Sequence, residues 1–353
     1  MSANAHDSAT KFRIGATCQE LTRAALAAIH APSVLNTQPW RWRITHDTAL
    51  LYADQTRRLT VMDPTGRLLV ISCGGALHHA CVTLAADGVD FEVEPFPGAG
   101  DPDLLAVVRY RGVADPSAWA QRLYHAIRAR RTDRRPFAGQ PVPQEFVDRL
   151  CQAAQRTRAH LHMTWARDIT DLALAAGQAS EALMSDPAYR AELAAWVRRP
   201  GEGHDGVPLD TLAPLGTRPV PMRDFTATGL GWGATSRIDL SDREARYGVV
   251  VTDGDSPPDW LAAGVTLSAV LLAATSQHLA TSPMSDLVEH EVARRTLRRM
   301  LGGVGYPAVG VRIGWPGPGE PPPPSPRRPA AEVIQVVADE IKDTEPDTPG
   351  KSA

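Results

Sequence analysis

The chain is poor in cysteine and lysine. Its 353 residues include four cysteines and only three lysines, so arginine carries almost all of the positive charge. The cysteines are scattered and none forms a CxxC pair: Cys18, Cys73, Cys81 and Cys151. That spacing argues against a zinc ribbon or a thioredoxin-like redox pair and predicts reduced, buried thiols.

Strong charge and a targeting segment are also absent. The formal net charge of -3 provides no overall attraction to nucleic acid or to an anionic membrane surface. The first dozen residues lack a basic region followed by an apolar one, which predicts a cytoplasmic protein without a secretory signal. The most apolar segment, 260–280, contains several polar side chains and is predicted to be a buried core helix.

The order helix, loop, strand occurs twice. Apolar residues at helical spacing cover 17–31, and alternating residues from Trp40 then predict a half-buried strand. The same order is predicted at 143–154 and 161–165, with Trp165 corresponding to Trp40. The apolar helix that begins near Gly75 similarly matches one near Gly264. Because alanine and leucine are abundant, chance is the alternative to a diverged tandem duplication.

The most specific motif is Ala31–Trp40, with the sequence APSVLNTQPW. A helix ends at a proline there, and small polar side chains precede a strand. Such a loop can wrap a flat polar heterocycle, although a simple helix-to-strand connector is the alternative. The motif closely resembles the APSSxNxQPW segment of the FMN-dependent nitroreductase family.

Two further segments resemble that family. Arg130–Phe137 is similar to the RRSxRxF segment that opens a nitroreductase protomer, and it lies where the second repeat begins. Residues 311–316 and the arginines after them are similar to the family's closing strand and basic tail. These motifs cover most of the chain, and the long mid-chain insertion is similar to that of the Acg-like branch.

The resemblance implies an α+β, nitroreductase-like fold in which two degenerate halves, each a mainly antiparallel sheet with surrounding helices, form a pseudo-homodimer. The N-terminal half is expected at 1–125 and the C-terminal half at 126–341. A lid insertion is expected at about 197–236, and 342–353 is expected to be a disordered tail. The protein is expected to be a monomer that mimics a dimer.

Family geometry implies that one FMN contacts both halves. The first half supplies Pro32, Ser33, Val34 and Asn36. The second half supplies Arg130, Arg131, Thr132 and Arg134, the tail residues Arg327 and Arg328, and the segment Ser282, Pro283 and Met284 near flavin N5. Val34 stands where the family often has a second serine, so one hydroxyl partner is missing.

The side-chain chemistry of these residues suggests which part of FMN each would bind. Ser33 and Asn36 can form hydrogen bonds and are candidates for the pyrimidine edge of the flavin. Arg130, Arg134 and one of the two tail arginines are candidates for the phosphate, because guanidinium groups bind phosphate oxygens in bidentate fashion. A solvated basic surface is the alternative. No catalytic side chain is predicted, since the flavin itself carries the chemistry.

Only one flavin is predicted per chain. The reciprocal site would need matching motifs, but the first half opens with Lys11–Arg13 and the second has Arg158 where the loop motif should be. A metal is not predicted at His78 and His79, because adjacent histidines on a helix diverge. The glycine-rich 229–233 does not fit a dinucleotide-binding fingerprint.

The resemblance therefore predicts an FMN-dependent NAD(P)H oxidoreductase that passes electrons by a ping-pong mechanism to a nitro compound, a quinone or a similar acceptor. Two alternatives stay open. One is a protein that sequesters FMN beneath a closed lid without turnover, and the other is a biosynthetic flavoenzyme with a dedicated substrate. The first alternative differs from the enzyme in that the packed lid would keep the nicotinamide away from the flavin.

Overall fold

The computed structural model describes residues 15–98, 100–198, 201–212, 218–225 and 242–337. Its helices are α1 (Ala16–Ala28), α2 (Arg67–Ala86), α3 (Ala118–Ala129), α4 (Gln144–Gln155), α5 (Ile169–Ser185), α6 (Pro187–Ala195), α7 (Pro257–Ser276), α8 (Asp286–Glu289), α9 (Glu291–Met300) and α10 (Ala330–Val333). Its strands are β1 (Trp40–Ile44), β2 (Thr48–Ala53), β3 (Val89–Pro95), β4 (Leu104–Val113), β5 (His160–Met163), β6 (Val197–Arg198), β7 (Val207–Pro208), β8 (Arg246–Thr252), β9 (Ala280–Met284), β10 (Tyr306–Gly314) and β11 (Ile334–Val336).

Two main sheets are formed. One has the strand order β11-β1-β2-β4-β3 and the other has the order β5-β8-β10-β9. All of their pairings are antiparallel except that of β11 with β1. In β1 the tryptophans face the core and Arg41 and Arg43 face solvent, as the period-two pattern predicts. The predicted α+β class with mainly antiparallel sheets is confirmed.

The predicted strand at 161–165 is wrong at its end. Strand β5 stops at Met163, and the Thr164 hydroxyl then donates to the Tyr247 carbonyl. The Asp168 carboxylate accepts from the Trp165 amide and starts a helical turn instead of a longer strand. Trp165 is consequently 64% exposed whereas Trp40 is buried, so the predicted correspondence between these two tryptophans fails.

Helices α2 and α7 form the centre of the molecule and cross in close contact. A Cβ atom added to Gly264 would lie 1.9 Å from the Ile71 carbonyl oxygen, and one added to Gly74 would lie 2.2 Å from the Leu261 carbonyl oxygen. The contact is reciprocal, because Ile71 and Leu261 are 190 positions apart, as are Gly74 and Gly264. The sequence pattern pairs Gly264 with Gly75, which is one residue away from the Gly74 that it contacts.

Both central helices are long and apolar enough to cross a membrane by length and composition alone. Most of each apolar stretch is nevertheless buried inside the protein. They are packed between the sheets and the outer helices, as core helices are. This agrees with the prediction of a buried core helix near 260–280.

The C-terminal segment returns to the first sheet. After β10 the chain runs without regular structure to α10, and β11 then pairs in parallel with β1. The Val337 amide donates to the Ile44 carbonyl at 2.8 Å and extends this pairing. The sheet of the predicted N-terminal half therefore contains a strand from the predicted C-terminal half, and the tail arginines lie beside the loop before β1.

We expect Gly264→Ala to lower the free energy of unfolding by about 3 kcal/mol or more, because the methyl group would overlap backbone that cannot move independently. Chemical denaturation measures the change. Gly177→Ala in α5 is the matched control, since no atom lies within 4 Å of its added Cβ. The control should raise stability by about 0.5–1 kcal/mol. Equal stabilities for the two variants would contradict the close crossing.

Candidate functional site

A cleft lies beside the crossing of α2 and α7. Eight of the residues predicted from the sequence line it: Pro32, Ser33, Val34, Thr132, Arg134, Ser282, Pro283 and Met284. The structure thus brings the loop after α1, the segment after α3 and strand β9 to one place.

The loop after α1 has an unusual backbone. Leu35, Asn36 and Gln38 have φ values of 45°, 55° and 50°, a left-handed region that side chains disfavour. Each such residue costs about 1–3 kcal/mol and persists only where its surroundings enforce it. Here the Ser33 hydroxyl accepts from the Gln38 amide at 2.9 Å, and the Ser72 hydroxyl of α2 accepts from the Val34 amide at 3.2 Å. The loop is therefore held rigid against α2.

Asn36 connects this loop to two distant segments. Its Nδ2 donates to the carbonyls of Gly206 at 3.0 Å and Pro326 at 3.1 Å, and its Oδ1 accepts from the Arg327 guanidinium. The side chain proposed from the sequence for the edge of a heterocycle is thus engaged within the protein. It positions the tail arginine and the insertion relative to the loop.

The guanidinium groups of buried Arg130 and of half-buried Arg134 and Arg327 line a recess that continues the cleft. The recess shares Thr132, Arg134 and the start of the loop with the cleft. Arg130 is only 5% exposed, and its Nε and Nη1 have no hydrogen-bond partner in the part of the chain that the structure describes. Within the described residues, no carboxylate lies within ion-pair distance of any of the three groups.

Burial of these charges shows in their acidity. Burial and the neighbouring Arg131 lower the pKa of Arg130 to about 10. Burial and Arg223 lower the pKa of Arg134 to about 10. For Arg327, burial and the charges of Arg130 and Arg131 lower the pKa to about 9. An uncompensated positive cluster of this kind favours a bound dianion, which would supply the missing counter-charge.

The other two predicted arginines lie outside the recess. Arg131 Nη1 donates to the backbone carbonyls of Arg128 and Arg130, at 2.7 and 2.9 Å. Arg328 lies 3.4 Å from the Asp54 carboxylate and 3.5 Å from that of Glu332. Of the two tail arginines, Arg327 is therefore the one that reaches the candidate anion site.

A buried arginine of β10 positions the segment that carries Arg130 and Arg134. Arg312 is 0% exposed, forms an ion pair with Asp242, and donates to the carbonyls of Asp133 and Arg135 at 2.8 and 2.9 Å. Sequence reasoning missed this residue. The sequence does indicate it, because an arginine within the β-branched run of β10 is buried and therefore needs ion-pair or hydrogen-bond partners.

Strand β9 places an unpaired hydroxyl on the cleft wall. Ser282 is 1% exposed, and its Oγ has no hydrogen-bond partner among the described residues. The preceding Thr281 forms an isolated bridge with Thr132, and its carbonyl accepts from the Asp133 amide at 2.9 Å. This bridge joins β9 to the arginine-bearing segment, so both walls of the cleft are held in register.

The predicted lid insertion also reaches the cleft. Met222, Arg223 and Phe225 line it, and the Phe225 ring lies 4.9 Å from the Arg134 guanidinium carbon. Arg223 forms a buried ion pair with Glu289, which holds this part of the insertion against α8. Sequence reasoning singled out the insertion but none of these residues, because the segment has no periodicity. Residues 226–236 of the predicted insertion lie outside the described residues.

Comparison with known proteins assigns the family. No family model matches the chain. The Mycobacterium tuberculosis protein named "Putative NAD(P)H nitroreductase Rv3131" is 35% identical over 320 residues, which cover 90% of this chain and 91% of that protein. Its "Putative NAD(P)H nitroreductase acg" is 33% identical over 327 residues, covering 91% and 97%. The chain belongs to this NAD(P)H nitroreductase family. The resemblance found in the sequence is confirmed.

Other relatives and solved structures extend the comparison. The M. tuberculosis "Uncharacterized protein Rv3127" matches the nitroreductase-family chain at 33% identity over 330 residues, covering 90% and 93%. An FMN-bound nitroreductase from Bacteroides fragilis superposes with a TM-score of 0.33 at 13% identity, covering 56% of this chain and 90% of that one. For Mycobacterium smegmatis NfnB in complex with NADPH the TM-score is 0.34 at 16% identity, covering 56% and 88%.

We expect Asn36→Asp to weaken anion binding in the recess about tenfold, because the new carboxylate would pair with Arg327 and supply the missing counter-charge internally. The rise in unfolding temperature that inorganic phosphate causes in ligand-free protein measures the affinity. Gln152→Glu on the exposed face of α4 adds the same charge elsewhere and should leave the phosphate effect unchanged. An undiminished phosphate effect in Asn36→Asp would argue against the recess as the anion site.

Proposed function

We propose that this member of the nitroreductase family is an FMN-dependent NAD(P)H oxidoreductase that holds one FMN in the cleft and the adjoining recess. The observation that carries the proposal is the set of three guanidinium groups in the recess, none of which has a carboxylate within ion-pair distance among the described residues. The unpartnered Nε and Nη1 of Arg130 fit a phosphate dianion, and the apolar cleft beside them fits a flat ring system.

Arg130, Arg134 and Arg327 would bind the phosphate. The free donors of Arg130 would gain acceptors, and the dianion would offset the repulsion that Arg130 and Arg131 exert on Arg327. Binding energy from the phosphate would anchor the rest of the cofactor without requiring any contact at the reacting ring.

The cleft supplies an apolar wall and a few polar groups for the ring. Leu68, Ile71 and Leu267 contribute the apolar surface. The Ser33 hydroxyl can donate in addition to accepting from Gln38, and the Ser282 hydroxyl has both of its hydrogen-bonding capacities free. Val34 contributes its backbone and removes one hydroxyl relative to the family motif.

Bound FMN would supply two-electron redox chemistry, taking electrons from NAD(P)H and giving them to a nitro, quinone or similar acceptor in alternating half-reactions. The residues of the chain position the ring, exclude water with the insertion, and place positive charge at the phosphate end. No protein acid or base is required. The proposal includes one site per chain, two degenerate halves near 1–125 and 126–341, and a monomeric assembly.

Replacing both Arg130 and Arg134 with alanine should give colourless protein, because it removes two of the three charges that bind the phosphate. Flavin absorbance per chain after purification measures the loss. Arg122→Ala, which removes an exposed arginine of α3, is the control and should retain stoichiometric FMN.

Loss of colour by unfolding is distinguishable from loss of the site. Removing buried, unpaired charges should maintain or raise the unfolding temperature of the ligand-free protein. Retention of stoichiometric FMN by the folded double variant would falsify the assignment of the phosphate site.

The insertion supports a second candidate function, which is sequestration of FMN without turnover. Met222, Arg223 and Phe225 line the cleft, and the ion pairs Arg223–Glu289 and Arg218–Asp242 hold this segment in place. A segment fixed in this way can exclude a nicotinamide from the ring.

Anaerobic mixing of the yellow protein with NADPH or NADH distinguishes the two functions. We expect prompt bleaching of the flavin absorbance, with little change in rate when Phe225→Ala shortens the side chain over the cleft. Persistent colour in the native chain, combined with rapid bleaching in Phe225→Ala, would support sequestration instead. Leu174→Phe on the exposed surface of α5 serves as the control for unrelated effects on the rate.

A further inference from the structure

A second cavity lies beside the central helices, with a volume of about 500 Å³. It is formed by α2, α7, α3, β3 and the C-terminal end of α4 with the residues after it, and none of its lining residues lines the cleft described above. The proposed function makes no use of it.

The two cavities are related through the reciprocal crossing of α2 and α7. A shift of 190 positions, the separation found at the crossing, converts five of the six α2 and α7 residues that line the cleft into residues that line the second cavity. Leu68, Ile71, Ser72 and Gly75 correspond to Pro258, Leu261, Ala262 and Val265, and Leu267 corresponds to Leu77. The second cavity is thus built on the counterpart of the first.

The chemistry of the counterpart differs. Ala262 replaces the hydroxyl of Ser72, and Val265 adds a side chain where Gly75 has none. Phe91 and Trp119 provide aromatic surface. The positions that hold a polar loop in the cleft are therefore apolar here, which excludes a ligand as polar as a nucleotide from the interior.

Two polar side chains of the lining bond to buried hydroxyl groups of α7 that lie behind the cavity wall. His78 Nδ1 lies 2.9 Å from the Ser268 hydroxyl, and the Thr157 and Thr266 hydroxyls are 2.6 Å apart. Burial lowers the pKa of His78 to about 4, so this ring is neutral at physiological pH. The interior consequently carries no charge that a ligand would have to neutralise.

Positive charge is confined to exposed residues of the cavity. Arg156 and Arg158 line it and are solvent-exposed, and the Arg156 guanidinium carbon lies 5.2 Å from the centre of the Trp119 ring. Among the described residues, neither arginine has an ion-pair partner. An anionic group attached to an apolar body would find its counter-charge there and nowhere deeper.

We propose that this second cavity is a binding site for an aromatic carboxylic acid, whose ring lies against Phe91 and Trp119 and whose carboxylate pairs with Arg156 and Arg158. The site is distinct from the cleft and does not depend on the function proposed for the cleft. It requires no chemical change in the ligand.

Calorimetric titration of the full-length purified protein with 2-naphthoate tests the site. We expect saturable binding of one naphthoate per chain. Ala262→Phe, which fills the cavity, should weaken binding by about tenfold or more. Leu174→Phe, an aromatic substitution on a surface that is 51% exposed, should leave binding unchanged.

A surface variant tests the charge without disturbing the core. Replacing Arg156 and Arg158 with alanine should weaken naphthoate binding roughly fivefold to tenfold, as loss of charge-assisted hydrogen bonds at an exposed position does. Binding of the neutral analogue 2-naphthalenemethanol should not change in this variant. The Arg130→Ala, Arg134→Ala protein should bind naphthoate normally, which would separate the cavity from the recess.

Three results would overturn the proposal. They are the absence of saturable naphthoate binding, full affinity in a folded Ala262→Phe protein, and loss of naphthoate binding when only Arg130 and Arg134 are replaced. The first result would show that the protein has no naphthoate site, and the other two would show that naphthoate binds outside this cavity.

Discussion

The contact between Gly74 and Gly264 is the constraint on which the other features depend. Any side chain at either position would meet the backbone of the opposite helix, so only glycine permits this crossing. The close approach buries two long apolar helices against each other and leaves their outer flanks free to line cavities. Both cavities include residues of α2 and α7, and the geometry of each therefore depends on the crossing.

The positively charged recess lowers the stability of the ligand-free protein. Burying guanidinium groups without counter-charges is unfavourable, and the left-handed residues Leu35, Asn36 and Gln38 add strain. The structure offsets these costs with buried ion pairs that support the site, of which Arg312 and Asp242 form the deepest. Their ion pair is completely buried and ties β10 to the segment after α3. Rigid support of this kind keeps a ligand site organised before the ligand arrives.

Local patterns in the sequence predicted the helices and strands well, but they did not predict the distant residues that hold the site in place. The alternation in β1 and the helical spacing in α1 and α4 specify structure locally, so these elements appear where expected. Trp165 alternates equally well, but the Asp168 carboxylate caps a turn there and ends the strand. Motif resemblance brought together the loop, the arginines and β9, yet it could not separate Arg327 from Arg328, because their difference is set by Asp54, which is distant in sequence.

The cleft and the second cavity are lined by corresponding residues of α2 and α7, but their side chains give them different polarity. Five of the six α2 and α7 residues that line the cleft have counterparts lining the second cavity, and side chains such as Ser72 against Ala262 differ between the two. In the cleft, a serine on α2 holds the strained loop through the Val34 amide. Its counterpart on α7 has no hydroxyl and cannot hold a loop in that way. Without an anchoring hydroxyl, this part of α7 offers no support for a polar loop and remains apolar helix surface, which is the condition that an apolar ligand requires.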